Sequence, residues 1–338
     1  MAAAAEILSL ILRANLALAG AVVVVALART PIRHGFGAQA AYRLWLLPVV
    51  AALAAMAPAR RMGVSAQVLA EGQAGQPSSL GQVGMGLWLV GVIVAIAIMA
   101  RLQKRFVRAA RRGAIGPAVV GIFTPRVVVP ADFETRFTGE EQALILAHER
   151  AHLRRHDPSA NGAAALVQCL CWFNPLAHLG AQLMRIDQEL ACDAAVVEGG
   201  EADRGAYARA LLKAQLAGRA LPLGCYWPPR SEHPLAARLE MLVRREPDSE
   251  RKALSAWLLG WSAAALSLGV WFAQPPRLEL ERAGVARLHT VLVPVMTPTG
   301  EMTNAVHPDT PSQAQQGAVP LMAPTGDLMP AYIPHQIF

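Results

Sequence analysis

The sequence predicts a mainly α, polytopic membrane protein with about four transmembrane helices and one α+β domain between the third and fourth. Three observations carry that reading. The chain is 54% hydrophobic and only 16% charged, against about 45–50% and about 25% in an average soluble domain. Aromatic residues are only 6%, so the apolar excess is Ala, Leu and Val, which suits helices and argues against a barrel. Four stretches approach the roughly 20 apolar residues needed to cross about 30 Å of hydrocarbon.

The first candidate span covers residues 7–28. It contains Arg13, close enough to its start to snorkel toward the headgroups. The segment before it, Met1 to Glu6, lacks a basic n-region, so a retained span is expected rather than a cleaved signal peptide. The second, 38–58, is interrupted by Arg43 and Pro48. The third, 80–100, and the fourth, 253–273, carry no charge, and Trp257 and Trp271 lie near the ends of the fourth as interface anchors.

Basic residues set the orientation. Arg29 and Arg33 follow the first span, Arg60 and Arg61 the second, and Arg101, Lys104, Arg105, Arg108, Arg111 and Arg112 the third. The last cluster places the following segment in the cytoplasm. The expected organisation is a membrane region over 1–101, a cytoplasmic domain over 102–252, a last span over 253–273 and a Pro-rich extracytoplasmic tail over 274–338, all in the inner (plasma) membrane. Net charge is +7, which fits basic loops; no recognition motif accompanies it, so no direct nucleic-acid partner is expected. Four clustered cysteines, Cys169, Cys171, Cys192 and Cys225, read as reduced thiols rather than a disulfide scaffold.

Within 102–252, Pro117–Phe123 and Arg126–Pro130 read as short strands. Thr138-Gly-Glu-Glu141 spells a capping box that opens a helix running to about His156. Further helices are expected over about 161–173, 175–198, 203–216 and from about 231 onward. The tail holds a near-repeat, Val295-Met-Thr-Pro-Thr-Gly-Glu-Met302 and Leu321-Met-Ala-Pro-Thr-Gly-Asp-Leu328. It reads as a flexible segment or as two hairpin arms with an extracytoplasmic ligand or protein.

The chemistry concentrates in His148-Glu149-Arg150-Ala151-His152. On a helix the two histidines are one turn apart on one face, where both imidazoles reach one Zn²⁺. Glu149 is placed to take a proton from water activated at such an ion. A hydrolytic zinc site needs a third protein ligand and an open fourth position. Glu189 is the candidate, returned to the histidines by a second long helix. Asp193, four residues on, can accept a hydrogen bond from a ligand histidine's other nitrogen, and Asp157 can cap or orient the turn after the motif. His156 follows the motif without an assigned role. His178 and His233 are candidate contacts for a substrate oxyanion, although each reads more simply as a surface histidine. Cys192 can be a thiolate ligand but reads more simply as a buried structural thiol, and Cys169-Leu-Cys171 as core.

Taken together, Gly121-Ile-Phe-x-Pro125, Val129-Pro130, the histidine motif with Asp157, Trp172-Phe-Asn-Pro175 and Glu189-Leu-Ala-Cys-Asp193 resemble the BlaR/MecR-type membrane zinc metallopeptidases, the antirepressor signal transducers of β-lactam resistance. The resemblance covers about Pro117 to Arg244. It implies a gluzincin-like fold, Zn²⁺ on His148, His152 and Glu189, Glu149 as general base, and a protein substrate such as a transcriptional repressor. About 65 residues follow the last span, without a Ser-x-x-Lys motif, so a penicillin-binding sensor domain and direct β-lactam sensing are not expected. The rival readings are a housekeeping quality-control protease of the membrane and a non-catalytic, zinc-stabilised receptor.

Overall fold

The computed structural model describes residues 2–64, 78–114, 116–198, 203–217, 234–244, 247–280, 291–296 and 302–307. They fall into two units, Met1–Arg60 with Gly75–Arg277 and Arg61–Ala74 with Leu278–Phe338. In chain order the elements are α1 (Ala2–Phe36), α2 (Ala38–Arg43), α3 (Leu46–Met56), β1 (Arg61–Val64), α4 (Ser78–Arg111), β2 (Ala118–Val120), β3 (Arg126–Val128), α5 (Phe133–Arg136), α6 (Gly139–Arg154), α7 (Asp157–Leu170), α8 (Pro175–Glu198), α9 (Arg204–Ala217), α10 (Pro234–Val243), α11 (Ser249–Ala273), β4 (Arg277–Leu280), β5 (Val291–Met296) and β6 (Met302–His307).

Four helical stretches are long and apolar enough to cross a membrane: Ala4–Phe36, Ala38–Met56, Gly81–Arg111 and Ser249–Ala273. The first and third run past the apolar stretches read from sequence. On α4 the extension carries the basic cluster on a continuous helix, with Arg108 and Arg111 in the last turn, where positive charge suits the helix dipole. The second stretch is in two pieces. α2 buries Ala38, Ala40 and Ala41 against α8, whereas α3 packs on α1 and α11. The C-terminal ends of α3 and α11 meet: Trp271 Nε1 donates to Pro58 O (2.9 Å), Gln274 Nε2 to Ala54 O (2.7 Å) and Arg60 Nη2 to Phe272 O (2.9 Å). The loop after α3 and the tail after α11 therefore leave the helices at the same end.

β2 and β3 form an antiparallel hairpin in the register Ala118↔Val128 to Val120↔Arg126. Gly121, which follows β2, has φ 107°, and a Cβ there would strike Thr124 O, so a side chain is excluded at this turn. α6 packs beneath the hairpin and opens as expected, with both capping-box bonds between Thr138 and Glu141 present. It ends at Arg154, because His156 takes φ 58° and starts α7 four residues earlier than its apolar pattern suggests.

Two cores position the rest. Leu144, Ala147, Ala151, Cys192, Val196, Tyr207 and Leu211 join α6, α8 and α9. A fully buried Leu or Val here is worth about 1.5–3 kcal/mol. Leu18, Val22, Val25, Trp45, Cys171, Ala177 and Met184 join α1 to the α7–α8 hairpin. In the smaller unit β1 pairs with β4 and β5 with β6, the latter from Val291↔His307 to Met296↔Met302. The first copy of the near-repeat begins at the end of β5 and finishes at the start of β6; its residues 297–301 and the whole second copy lie outside the described residues.

Candidate metal centre

α6 turns its apolar side into the core and leaves His148, Glu149 and His152 on the side facing α8. The rings of His148 and His152 meet edge to face with centroids 4.8 Å apart, and their Nε2 atoms are 3.1 Å apart. Glu189 comes from α8. Its Oε2 is 3.3 Å from His148 Nε2 and its Oε1 is 3.5 Å from His152 Nε2. Tetrahedral ligands at about 2.0–2.1 Å from a zinc ion stand about 3.3 Å from one another. The spacing of the two Nε2 atoms and the Glu189 carboxylate is therefore of the size one such ion needs, and the three side chains group as a potential metal-holding set.

The other ring nitrogens are held from behind. His152 Nδ1 is 2.8 Å from Asp157 Oδ2. His148 Nδ1 is 2.9 Å from Tyr207 Oη and 3.2 Å from Asp193 Oδ1. Tyr207 in turn donates to Asp193 Oδ1 at 2.7 Å. Arg238, from α10, donates twice to Asp193 (2.7 and 2.6 Å) and lies 3.3 Å from Glu189 Oε2. Asp157 and Asp193 are fully buried, so these partners are what make their charges tolerable.

The electrostatics follow. Burial raises the Glu149 carboxyl, Glu189 adds to that, and the histidines and Arg238 oppose it without cancelling it; the net shift is upward. Burial would also raise Asp193 and Glu189, but Arg238 and the histidines overcome it, and both end below the ordinary carboxylate range. Burial pulls His148 down, yet the bonds to Asp193 and Glu189 carry it up to about 10. Burial pushes the Cys192 thiol well up. Its Sγ lies 3.2 Å from Asp157 Oδ2, so it stays a thiol that donates to that carboxylate.

His148, Glu149, His152, Asp157, Glu189 and Asp193 are thus brought together. His178 is not among them; it bonds Gln168 Nε2 and the Trp172 carbonyl in the α7–α8 hairpin. His156 forms the left-handed turn between α6 and α7, and His233 lies outside the described residues. Tyr207 and Arg238 are the members that sequence reasoning missed. Each is an isolated residue on a later helix, with no motif spacing to flag it.

Residues 113–242 match the BlaR1 peptidase M56 family. The regulatory protein BlaR1 of Bacillus licheniformis is 30% identical over 82 residues, 24% of this chain and 14% of the relative. The methicillin resistance mecR1 protein of Staphylococcus aureus is 28% identical over the same length and shares, as is that of Staphylococcus epidermidis. The match therefore spans only a small part of these relatives. The segment that supplies both histidines, Glu189 and Arg238 is thus the one that matches the BlaR1 peptidase M56 family, in a chain with four helices long and apolar enough to cross a membrane.

Proposed function

We propose that this chain is an integral-membrane zinc metalloendopeptidase. His148, His152 and Glu189 hold the ion, Glu149 is the general base, and Asp193 and Asp157 orient the two histidines. The observation that carries the reading is the convergence of three ligand side chains, with their nitrogen and carboxylate oxygen atoms 3.1–3.5 Å apart, and a buried carboxylate of raised pKa beside them. Zinc, when bound, supplies a Lewis-acid centre that polarises the scissile carbonyl and acidifies water. Glu149 accepts the proton and passes it to the leaving amine; its raised pKa suits a group that must do both near neutrality. The outer edge of β3 has no strand partner among the described residues and offers backbone groups to an extended substrate.

The substrate is a protein; the name of one relative, a regulatory protein, supports a signalling role, and the motif resemblance favours a transcriptional repressor cleaved on the cytoplasmic side. The experiment that tests this compares the proteomes of cells carrying wild type and Glu149→Gln. A repressor that persists only in the variant is the expected result, and broad accumulation of damaged membrane proteins would favour quality control instead. Replacing Asp193 or Asp157 by Ala should cost about 10–100-fold in metal affinity or activity, as loss of a histidine's partner does generally; zinc titration of purified variants measures it.

Sidedness is tested by reporters. A fusion after Lys252 should behave as cytoplasmic and one after Phe338 as periplasmic. The basic run from Arg101 to Arg112 supports this, as does the shared exit of the α3–α4 loop and the tail. Reversal of the two would remove repressor cleavage and leave the zinc chemistry.

A further inference from the structure

We infer that the α7–α8 hairpin is a re-entrant loop embedded in the bilayer, its outer face covered by lipid acyl chains, and that it holds the metal centre at the membrane boundary. The inference rests on the reading of α1 and α4 as membrane spans.

The first observation is depth. α8 runs alongside α1 in the same direction. Asn174 Nδ2 reaches Asn15 Oδ1 (3.3 Å), a Cβ at Gly180 would touch Val22, and Arg29 Nη1 reaches Asp187 Oδ1 (3.0 Å). The start of α8 therefore lies level with Asn15, well inside the apolar run of α1, and the helix leaves that run only where Arg29 marks its end. The other side agrees. Trp88 Nε1 on α4 donates to Leu170 O (3.0 Å), and the Trp172 ring lies on Gly91, with no room for a Cβ. Both α4 residues sit in the middle of its uncharged run.

The second observation is composition. From Pro158 through Met184 there is no Asp, Glu, Lys or Arg. The side chains that the hairpin leaves open include Leu166 (56%), Leu170 (38%), Phe173 (42%) and Leu179 (42%). A hairpin tip in water would expose polar groups instead.

The third is the turn itself. Non-helical backbone is tolerated at membrane depth only where protein satisfies it. The carbonyls of residues 170, 171 and 172 accept from Trp88 Nε1, the Asn174 amide and His178 Nε2. Asn174, itself buried, accepts from the Leu176 amide and donates to Asn15. The turn's carbonyls are thus satisfied by protein, as hydrocarbon demands, while the Trp172 ring N–H and Gln168 Oε1 have no partner among the described residues.

From Asn174 to Asp187 is about 20 Å of helix at 1.5 Å per residue. Glu189 follows directly, so the ion's ligands stand where the apolar run of α1 ends. A substrate must then bring its scissile segment to the membrane surface.

The test places single cysteines at Leu166, Phe173 and Leu179 in the full chain with Cys225→Ser, the described native thiols being buried. Each is spin-labelled in phospholipid nanodiscs, and its accessibility to oxygen and to a water-soluble nickel chelate is compared. Leu16→Cys on α1 and Glu140→Cys on α6 are the lipid and water references. The oxygen-to-nickel ratio at the hairpin sites should match position 16 and exceed position 140 by at least about tenfold, because a polar chelate is excluded from hydrocarbon. Ratios like that of position 140 at the hairpin sites, with position 16 still lipid-like, would overturn the hairpin and leave the spans intact. Three sites on two legs and the tip guard against one variant failing to fold. The readout is independent of peptidase activity, so the inference and the proposed function fail separately.

Discussion

Glu149→Gln should abolish peptide cleavage while the protein keeps its zinc. The substitution preserves the shape of the side chain and leaves His148, His152 and Glu189 in place, so metal content should stay at the wild-type level. An amide cannot take up the proton, and loss of a positioned general base costs about 10²–10⁴-fold in rate. The structure makes this a clean test, because Glu149 is buried and its carboxyl is held above the ordinary range chiefly by that burial; a neutral amide relieves this penalty. The variant should therefore fold at least as well as wild type. Zinc analysis and turnover of a casein-type or repressor substrate decide the matter. Full activity in the variant would sink the mechanism, and a folded protein without zinc would show that Glu149 helps to hold the metal.

The site's first layer was legible because helical spacing is a local rule. His148 and His152 stand one turn apart wherever that segment is helical, and Asp193 follows Glu189 by the same interval. The capping box at Thr138 fixed where the helix begins. The second layer was not legible, because it arises from tertiary packing. Tyr207 reaches His148 from α9, and Arg238 reaches Asp193 from α10. Tyr42, from α2, donates to Asp157 Oδ1 at 3.1 Å and so stands behind His152. A lone Tyr or Arg in a helix carries no sequence signal for such a role. The same limit explains the second span. Its apolar content marked it as a membrane stretch, but only packing shows that α2 turns aside to cover α8, where Trp45 Nε1 and Arg29 close on the buried Asp187. The helices over about 161–173 and 175–198 were expected within the 102–252 domain, and the level at which they lie beside α1 is again set by packing.

Glu189→Ala should lose the metal together with the activity. Among the described residues Glu189 is the carboxylate that lies against both Nε2 atoms, at 3.3 and 3.5 Å, and Arg238 and the histidines hold its carboxyl below the ordinary range, in its charged form. Removing it leaves two imidazoles 3.1 Å apart and frees Arg238, 3.3 Å away, to project positive charge into the gap. Zinc affinity should fall by more than the roughly 10–100-fold expected for a group behind the ligands. Glu189→Gln separates charge from shape: it keeps the volume and should still bind zinc more weakly than wild type. The pH dependence has a definite sign. In the metal-free site Asp193 and Glu189 favour the protonated form of His148 and raise its pKa, and the ion requires the neutral form, so affinity should rise with pH and binding should release a proton below that raised pKa. In the alanine variant the Glu189 contribution to that raised value is gone, so proton release at a given pH should shrink. Calorimetry in buffers of different ionisation enthalpy measures both quantities. If Glu189→Ala retains one tightly bound zinc per chain, the third ligand is another residue. Cys192 is then the next to replace, since its Sγ lies 3.2 Å from His152 Nδ1. That outcome would also require His152 to turn its Nδ1 toward the ion and give up Asp157.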